Sequence, residues 1–252
     1  MSEAISSPPA TAAWTADLGR AVRLFRAFRS EQSDPDRFYR TLAEDSVALV
    51  GTYADPRGAT VLDVGGGLGY FADAFHRAGA TYYLVDSDLD ELSDLEEPAA
   101  GTVVASGTAL PVGDGQVDIC FSSNVLEHVA DPWRMADELV RVTRPGGTVV
   151  LSYTGWWGVH GGHETAPWHL FGGHRAARRY QRRHGRAPKN RYGESLFPIT
   201  IAGGLRWARQ CVEAELVAAF PRYHPRWAYG VLAVPGLREV ATWNLVLVLR
   251  RR

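Results

Sequence analysis

Two groups of residues in this 252-residue chain can do chemistry. The first is the run Val61-Leu62-Asp63-Val64-Gly65-Gly66-Gly67-Leu68-Gly69, with glycines alternating at 65, 67 and 69 and an acid two residues upstream. Glycine at such positions lets the backbone turn sharply and lets a ligand approach to contact distance. The run leaves a β-branched stretch and opens a helical one, and a helix N-terminus favours a negative group such as a carboxylate. Asp86 ends the next apolar stretch, where an acid can accept hydrogen bonds from both hydroxyls of a ribose. A glycine-rich loop alone is a weak signal, shared with dinucleotide enzymes and with tight turns that bind nothing. Position 70 is Tyr, so the dinucleotide spacing G-x-G-x-x-G is not met.

The second group is rich in histidine. His128 follows Glu127, and His160, His163, Glu164, His169 and His174 lie among Trp156, Trp157 and Trp168. Aromatic residues beside histidines suit a pocket with an apolar wall and a titratable group. Zinc is the rival idea, but no cysteine joins the set and no helical H-x-x-x-H pair exists, so no metal is expected. The plainer alternative is a glycine-rich loop whose histidines fill surface.

These residues need elements to position them. Leu18, Val22, Phe25 and Phe28 share one face at helical spacing, and Phe38 to Tyr53 repeats the pattern after a break at Ser33-Asp34-Pro35. Residues 14–54 therefore read as helices lying against the front of the strands and helices beyond them. From Thr60 the pattern changes. Strands are expected at Thr60–Val64, Tyr82–Val85, Thr102–Ala105, Val117–Ser122 and Thr148–Tyr153. A helix is expected over Gly69–Ala78 with Gly79 at its C-terminal cap. Asp131-Pro132 predicts an N-cap and first-turn proline for a helix through Thr143, and Pro145-Gly146-Gly147 a turn. Residues 154–198 break the rhythm and read as an insertion. A helix near Ile201–Cys211 and strands at Glu215–Phe220 and Asn244–Leu249 complete the alternation, which implies a parallel sheet with right-handed crossovers.

On these strings the chain resembles class I methyltransferases, the large family that includes quinone-biosynthesis enzymes. The likeness covers Thr60 to about Tyr153. Beyond the glycine loop it rests on Ala109-Leu110-Pro111, Val117-Asp118, Ser122-Ser123-Asn124-Val125-Leu126-Glu127-His128-Val129, Asp131-Pro132 and Arg141-Val142-Thr143-Arg144-Pro145-Gly146-Gly147. Across its whole length the chain is also similar to an actinobacterial methyltransferase family, through Phe38-Tyr39, Gly161-Gly162-His163-Glu164, Lys189-Asn190, Phe220-Pro221-Arg222-Tyr223-His224-Pro225 and Asn244-Leu245-Val246-Leu247-Val248-Leu249. That family supplies no substrate.

The resemblance implies a doubly wound, Rossmann-like, mostly parallel seven-stranded sheet and S-adenosylmethionine as cofactor. Asp63 and Gly65, Gly66, Gly67 and Gly69 would hold its methionine end. Asp86, with Ser87 beside it, would hold the ribose, Ser106 and Gly107 would edge the adenine, and Ser122, Ser123 and Asn124 would floor the sulfonium. Where the family often has an acid for the adenine amino group, this chain has Ser106, a weaker acceptor. In related O-methyltransferases of the ubiquinone pathway the string around Glu127-His128 can hold a divalent metal, but here its first position is the neutral Asn124, and His128 reads rather as orienting the loop. An oxygen acceptor usually also needs a base. His163, His128 and Glu164 are the leading candidates, with His169 behind them. The expected reaction is methylation of an oxygen of a small-molecule, sugar or lipid-linked acceptor; carbon or nitrogen methylation, or a cofactor-binding regulatory or partner protein without turnover, are the competing readings.

Composition bounds the rest. A net charge of -1 argues against general nucleic-acid binding. No apolar run reaches eighteen residues, so no membrane span is expected. The start MSEAISSPPATAAW lacks the basic and then apolar profile of a secretory signal, so residues 1–13 are expected as a frayed tail ahead of one domain, in the cytosol. Cys120 and Cys211 form no metal spacing, and a disulfide is not expected. Between Glu164 and Glu194 there is no acid but eight Lys or Arg. Arg175, Arg178, Arg179, Arg182 and Arg183 recur at helical spacing as one basic stripe. It reads either as a solvated face or as a contact for an anionic acceptor or membrane surface, with the apolar stretch Pro225–Pro235 as a further membrane candidate.

Overall fold

The computed structural model describes residues 14–29, 34–88 and 101–252, and the expected tail lies outside them. Seven strands form one sheet in the order β3-β2-β1-β4-β5-β7-β6. They are β1 Thr60–Val64, β2 Thr81–Asp86, β3 Thr102–Val104, β4 Val117–Ser123, β5 Thr143–Thr154, β6 Ala214–Pro221 and β7 Asn244–Arg251. All neighbours pair in parallel except β7, which runs antiparallel to both β5 and β6. The helices are α1 Leu18–Arg29, α2 Pro35–Tyr53, α3 Ala72–Arg77, α4 Pro132–Val142, α5 Gly173–His184, α6 Ile201–Gln210 and α7 Leu237–Ala241.

The central strands are apolar on both faces because helices cover both, as buried parallel strands require. Side-chain alternation splits each strand between two cores. Val61, Ile119, Phe121, Val150 and Val248 pack with Leu42 and Val50 of α2 and Phe75 of α3. Leu62, Cys120, Val149, Leu151 and Leu247 pack with Leu139 of α4 and Leu205 of α6 on the other face. Local signals set the ends of the helices. Asp34 caps α2 by accepting from the Arg37 amide at 3.2 Å, and Asp131 caps α4 through the Arg134 amide at 3.3 Å, each followed by proline. Gly79, at φ +85°, takes the left-handed position just past α3.

The strand boundaries hold to within a few residues, with one difference of kind. Pro145-Gly146-Gly147 lies inside β5. There the register with β4 jumps from Val117↔Thr143 to Ile119↔Thr148, so the expected turn is a bulge of a continuous strand. The parallel topology brings the C-terminal ends of β1, β2, β4 and β5 to one edge. The antiparallel β7 adds its N-terminal end, with Trp243 and Asn244, to that same edge.

Candidate functional site

The glycine loop leaves β1 at this edge. Gly65, Gly67 and Gly69 take positive φ of 80°, 51° and 71°. The loop is pressed onto its surroundings: a Cβ on Gly65 would collide with the Val125 side chain, and one on Gly66 with Leu84. Asp86 Oδ2 accepts from the Gly67 amide at 2.8 Å, and Oδ1 from the Asp88 amide at 2.9 Å, so the acid at the end of β2 fixes the loop from β1. Asp63 is buried beneath them. One of its oxygens accepts from Tyr82 Oη at 2.6 Å, while Oδ1 has no partner among the described residues. Burial pushes its carboxyl up to about 7; the Tyr82 bond opposes this and the charge on Asp86 adds to it.

Ser87 is exposed beside Asp86, and Ser106 is exposed next to Gly107, where its Oγ meets Thr108 Oγ1 at 2.9 Å. Ser122 is buried and donates to Val64 O at 2.8 Å, tying β4 to β1. Asn124, at φ +60°, accepts from Asn244 Nδ2 at 2.7 Å. Ser123 Oγ accepts from Arg222 Nη1 at 2.7 Å.

Of the candidate bases, the fold brings together His128 and His163, with ring centroids 5.0 Å apart, and adds Glu127. One ligand-type atom of each of the three lies within 4.8 Å of the others. Glu127 is buried; its Oε1 accepts from the Thr154 amide at 3.0 Å and its Oε2 has no partner among the described residues. His128 Nδ1 is held 2.7 Å from Ser195 O, which turns its ring into the cluster. His163 stands in the left-handed region, φ +46°, and its Nε2 is buried with no partner among the described residues. Burial pushes the imidazole down to about 3, helped by the charges of His128, His160 and His169. Burial shifts the Glu127 carboxyl the other way, upward, against the pull of His128.

The other two candidates face elsewhere. Both Glu164 oxygens accept from Asn190 Nδ2 at 3.1 Å. His169 is buried with Nε2 within 2.9 Å of Trp156 O and 3.2 Å of Gly158 O, a post that holds the insertion together. Beside the cluster, His160 packs edge-on against Phe28 and Trp243 at 4.8 and 5.3 Å. Trp243 also lines an apolar recess of about 260 Å³ with Ala21, Val22 and Phe25 of α1 and Tyr223 and His224. A surface cavity of about 640 Å³ between α4 and α6 contains none of the site residues.

The sequence offers Glu127 beside His128 without marking it as a partner of His163, and it gives no sign of Arg222. Arg222, 1% exposed, crosses the strand ends to donate to Ser123, Ser152 (3.1 Å) and Ser46, with Nε unpartnered among the described residues. A buried guanidinium is rare enough that only its surroundings show its use. The segment Phe220–Pro225 carries no chemical signal beyond the family likeness.

The known proteins that this chain is similar to are methyltransferases. A methyltransferase domain family matches residues 62–151. An "uncharacterized methyltransferase" of Mycolicibacterium gilvum is 58% identical over 93% of this chain and 95% of its own. Another, of Mycobacteroides abscessus, is 54% identical over 94% and 96%. Among solved structures, an S-adenosylmethionine-dependent methyltransferase of Mesorhizobium loti shares the fold with a TM-score of 0.56 at 19% identity, over 83% of this chain and 98% of that one.

Proposed function

The chain belongs to the methyltransferase family of these mycobacterial relatives, and from that premise we propose that it methylates an oxygen of a small or lipid-linked acceptor, with His163 as the base. It is an S-adenosylmethionine-dependent methyltransferase. When bound, that cofactor supplies a methyl group on a cationic sulfur that leaves as a neutral thioether.

The residues present fit the cofactor. The unpartnered, buried Oδ1 of Asp63 is an acceptor awaiting a donor, as an ammonium group would provide. Gly65, Gly66, Gly67 and Gly69 would take the methionine end, Asp86 and Ser87 the ribose, and Ser106 and Gly107 the adenine edge. Ser122, Ser123 and Asn124 would close the floor.

The observation that carries the acceptor reading is the bare Nε2 of His163, buried beside Glu127 and His128. An imidazole with its pKa near 3 is neutral at working pH, with a lone pair free to take a proton. An acceptor hydroxyl becomes strongly acidic as its oxygen takes on the positive charge of the incoming methyl, so even a weak base suffices late in the step. Glu127, when ionised, steadies the imidazolium that results. Glu164 acts one step back, fixing Asn190 across the insertion. The recess beside Trp243 suits an apolar acceptor body.

The test is conversion of acceptor fractions from cell extract, with S-adenosylhomocysteine as the readout and mass spectrometry locating the new methyl. A methyl on oxygen, lost in His163→Asn with cofactor binding intact, is the expected result. A methyl on carbon or nitrogen overturns the oxygen reading, turnover indifferent to His163 removes it as the base, and no product at all points to a cofactor-binding partner protein.

A further inference from the structure

We propose that α5 and the turn before it form a docking face for an anionic lipid bilayer. The five arginines of the stripe, Arg175, Arg178, Arg179, Arg182 and Arg183, are all exposed on α5. Among the described residues none of them is in an ion pair, so the stripe carries its charge uncompensated.

The helix is seated by its small residues. Gly173 and Ala176 are its buried positions, and a Cβ on Gly173 would collide with the Tyr192 ring. This close approach turns the arginines outward. A second, independent observation concerns the turn Trp168–Phe171 just upstream, where Phe171 is 70% exposed, Trp168 45% and Leu170 41%. Arg179 stacks over the Trp168 ring at 3.9 Å, so the cationic and apolar parts are one surface.

A solvated helix face would not need three large apolar side chains beside it. A soluble polyanion would pair with the arginines and leave Phe171 and Leu170 in water. A bilayer interface takes both, arginines at the head groups and Trp, Leu and Phe at the acyl boundary. The turn lies just beyond His163–Thr165, so the docking face and the candidate base share one insertion. Docking deepens the reading of a lipid-linked acceptor but does not depend on it.

The experiment is flotation of the full chain with phosphatidylglycerol-containing and with pure phosphatidylcholine vesicles, at low and high salt. The variants are Arg178→Gln/Arg179→Gln/Arg182→Gln and Phe171→Ser. We expect partition onto anionic vesicles alone, weakened by salt, reduced at least tenfold by the arginine variant and at least threefold by Phe171→Ser. Equal flotation with both lipids, flotation with neither, or anionic binding indifferent to both variants overturns the proposal. Retention of single-stranded RNA that needs the arginines but not Phe171, without flotation, assigns the face to a soluble polyanion and also overturns it. Unchanged S-adenosylhomocysteine affinity in both variants certifies their folding. A chain that floats as expected but methylates no lipid leaves docking standing and sinks only the acceptor reading.

Discussion

Tyr82 donates its hydroxyl to Asp63 at 2.6 Å beneath the glycine loop, and among the described residues this is the one bond that the buried carboxyl makes. With the folded carboxyl raised to about 7, the folded state binds an extra proton between the ordinary aspartate range and neutrality. The resulting stability is fully present below about pH 4 and lost as pH rises through 7, up to about 4 kcal/mol at ~1.4 kcal/mol per unit. In the ligand-free protein, Asp63→Asn should therefore raise the melting temperature at pH 8 and flatten its fall between pH 4 and 7. Calorimetric scans across pH check this, and a lower melting temperature at pH 8 would show that Asp63 is ionised at little cost.

Asp86 both terminates β2 and holds the Gly67 amide. Replacing it with Ala should weaken S-adenosylhomocysteine binding by about 1–3 kcal/mol, the usual cost of leaving polar groups unpaired. Titration calorimetry reads this directly, and an unchanged affinity would remove Asp86 from the ribose site.

The base makes a kinetic prediction. Burial holds His163 near 3, so maximal turnover should stay level from pH 8 down to about pH 5, in contrast to the fall near 6.5 of an ordinary histidine base. His163→Asn should lower turnover roughly a hundredfold with cofactor affinity kept. A profile bending near 6.5 would remove His163 as the base.

Gly65 combines left-handed backbone with contact against Val125, and the two can be separated. Gly65→Ala should cost about 2–4 kcal/mol from strain plus overpacking. Gly65→Ala/Val125→Ala should recover the packing part alone, about half. Denaturation midpoints of the two variants decide it, and full recovery would mean that the backbone there tolerates a side chain.

The sheet and the glycine loop are legible in the sequence because they rest on short-range signals: buried strands read as apolar runs, and Asp131-Pro132 or Gly79 fix ends locally. The bulge at Pro145-Gly146-Gly147 reads as a turn, since a strand that continues past a bulge cannot be told from one that begins after it. At the site, His128 and His163 are visible as residue types, but Glu127 becomes their partner only through the fold. Glu164 stands level with His163 as a candidate in sequence, and His169 close behind; the side-chain amide of Asn190 and the carbonyls of Trp156 and Gly158 show that both are engaged elsewhere. Arg222 reaches serines 70, 99 and 176 positions away, a distance at which no pattern in the chain could announce it.

Arg222 also bears on the order in which the protein is assembled. Ser46 on α2 is bonded to Arg222, and Arg20 on α1 donates to the Arg222 carbonyl at 2.8 Å while holding Asp45. During synthesis the front helices emerge before the sheet, yet Arg222, which bonds to both, emerges after β1 to β6. Contacts of such high sequence separation form late, because the loops they close must first lose their entropy. The chain leaving a ribosome should thus assemble β1 to β5 around an open front, with Arg20 and Asp45 still in water. Arg222 lies just past β6, and β6 joins the sheet only through β7, so the bonds from Arg222 to Ser46 and Arg20 should form only after β7 is made.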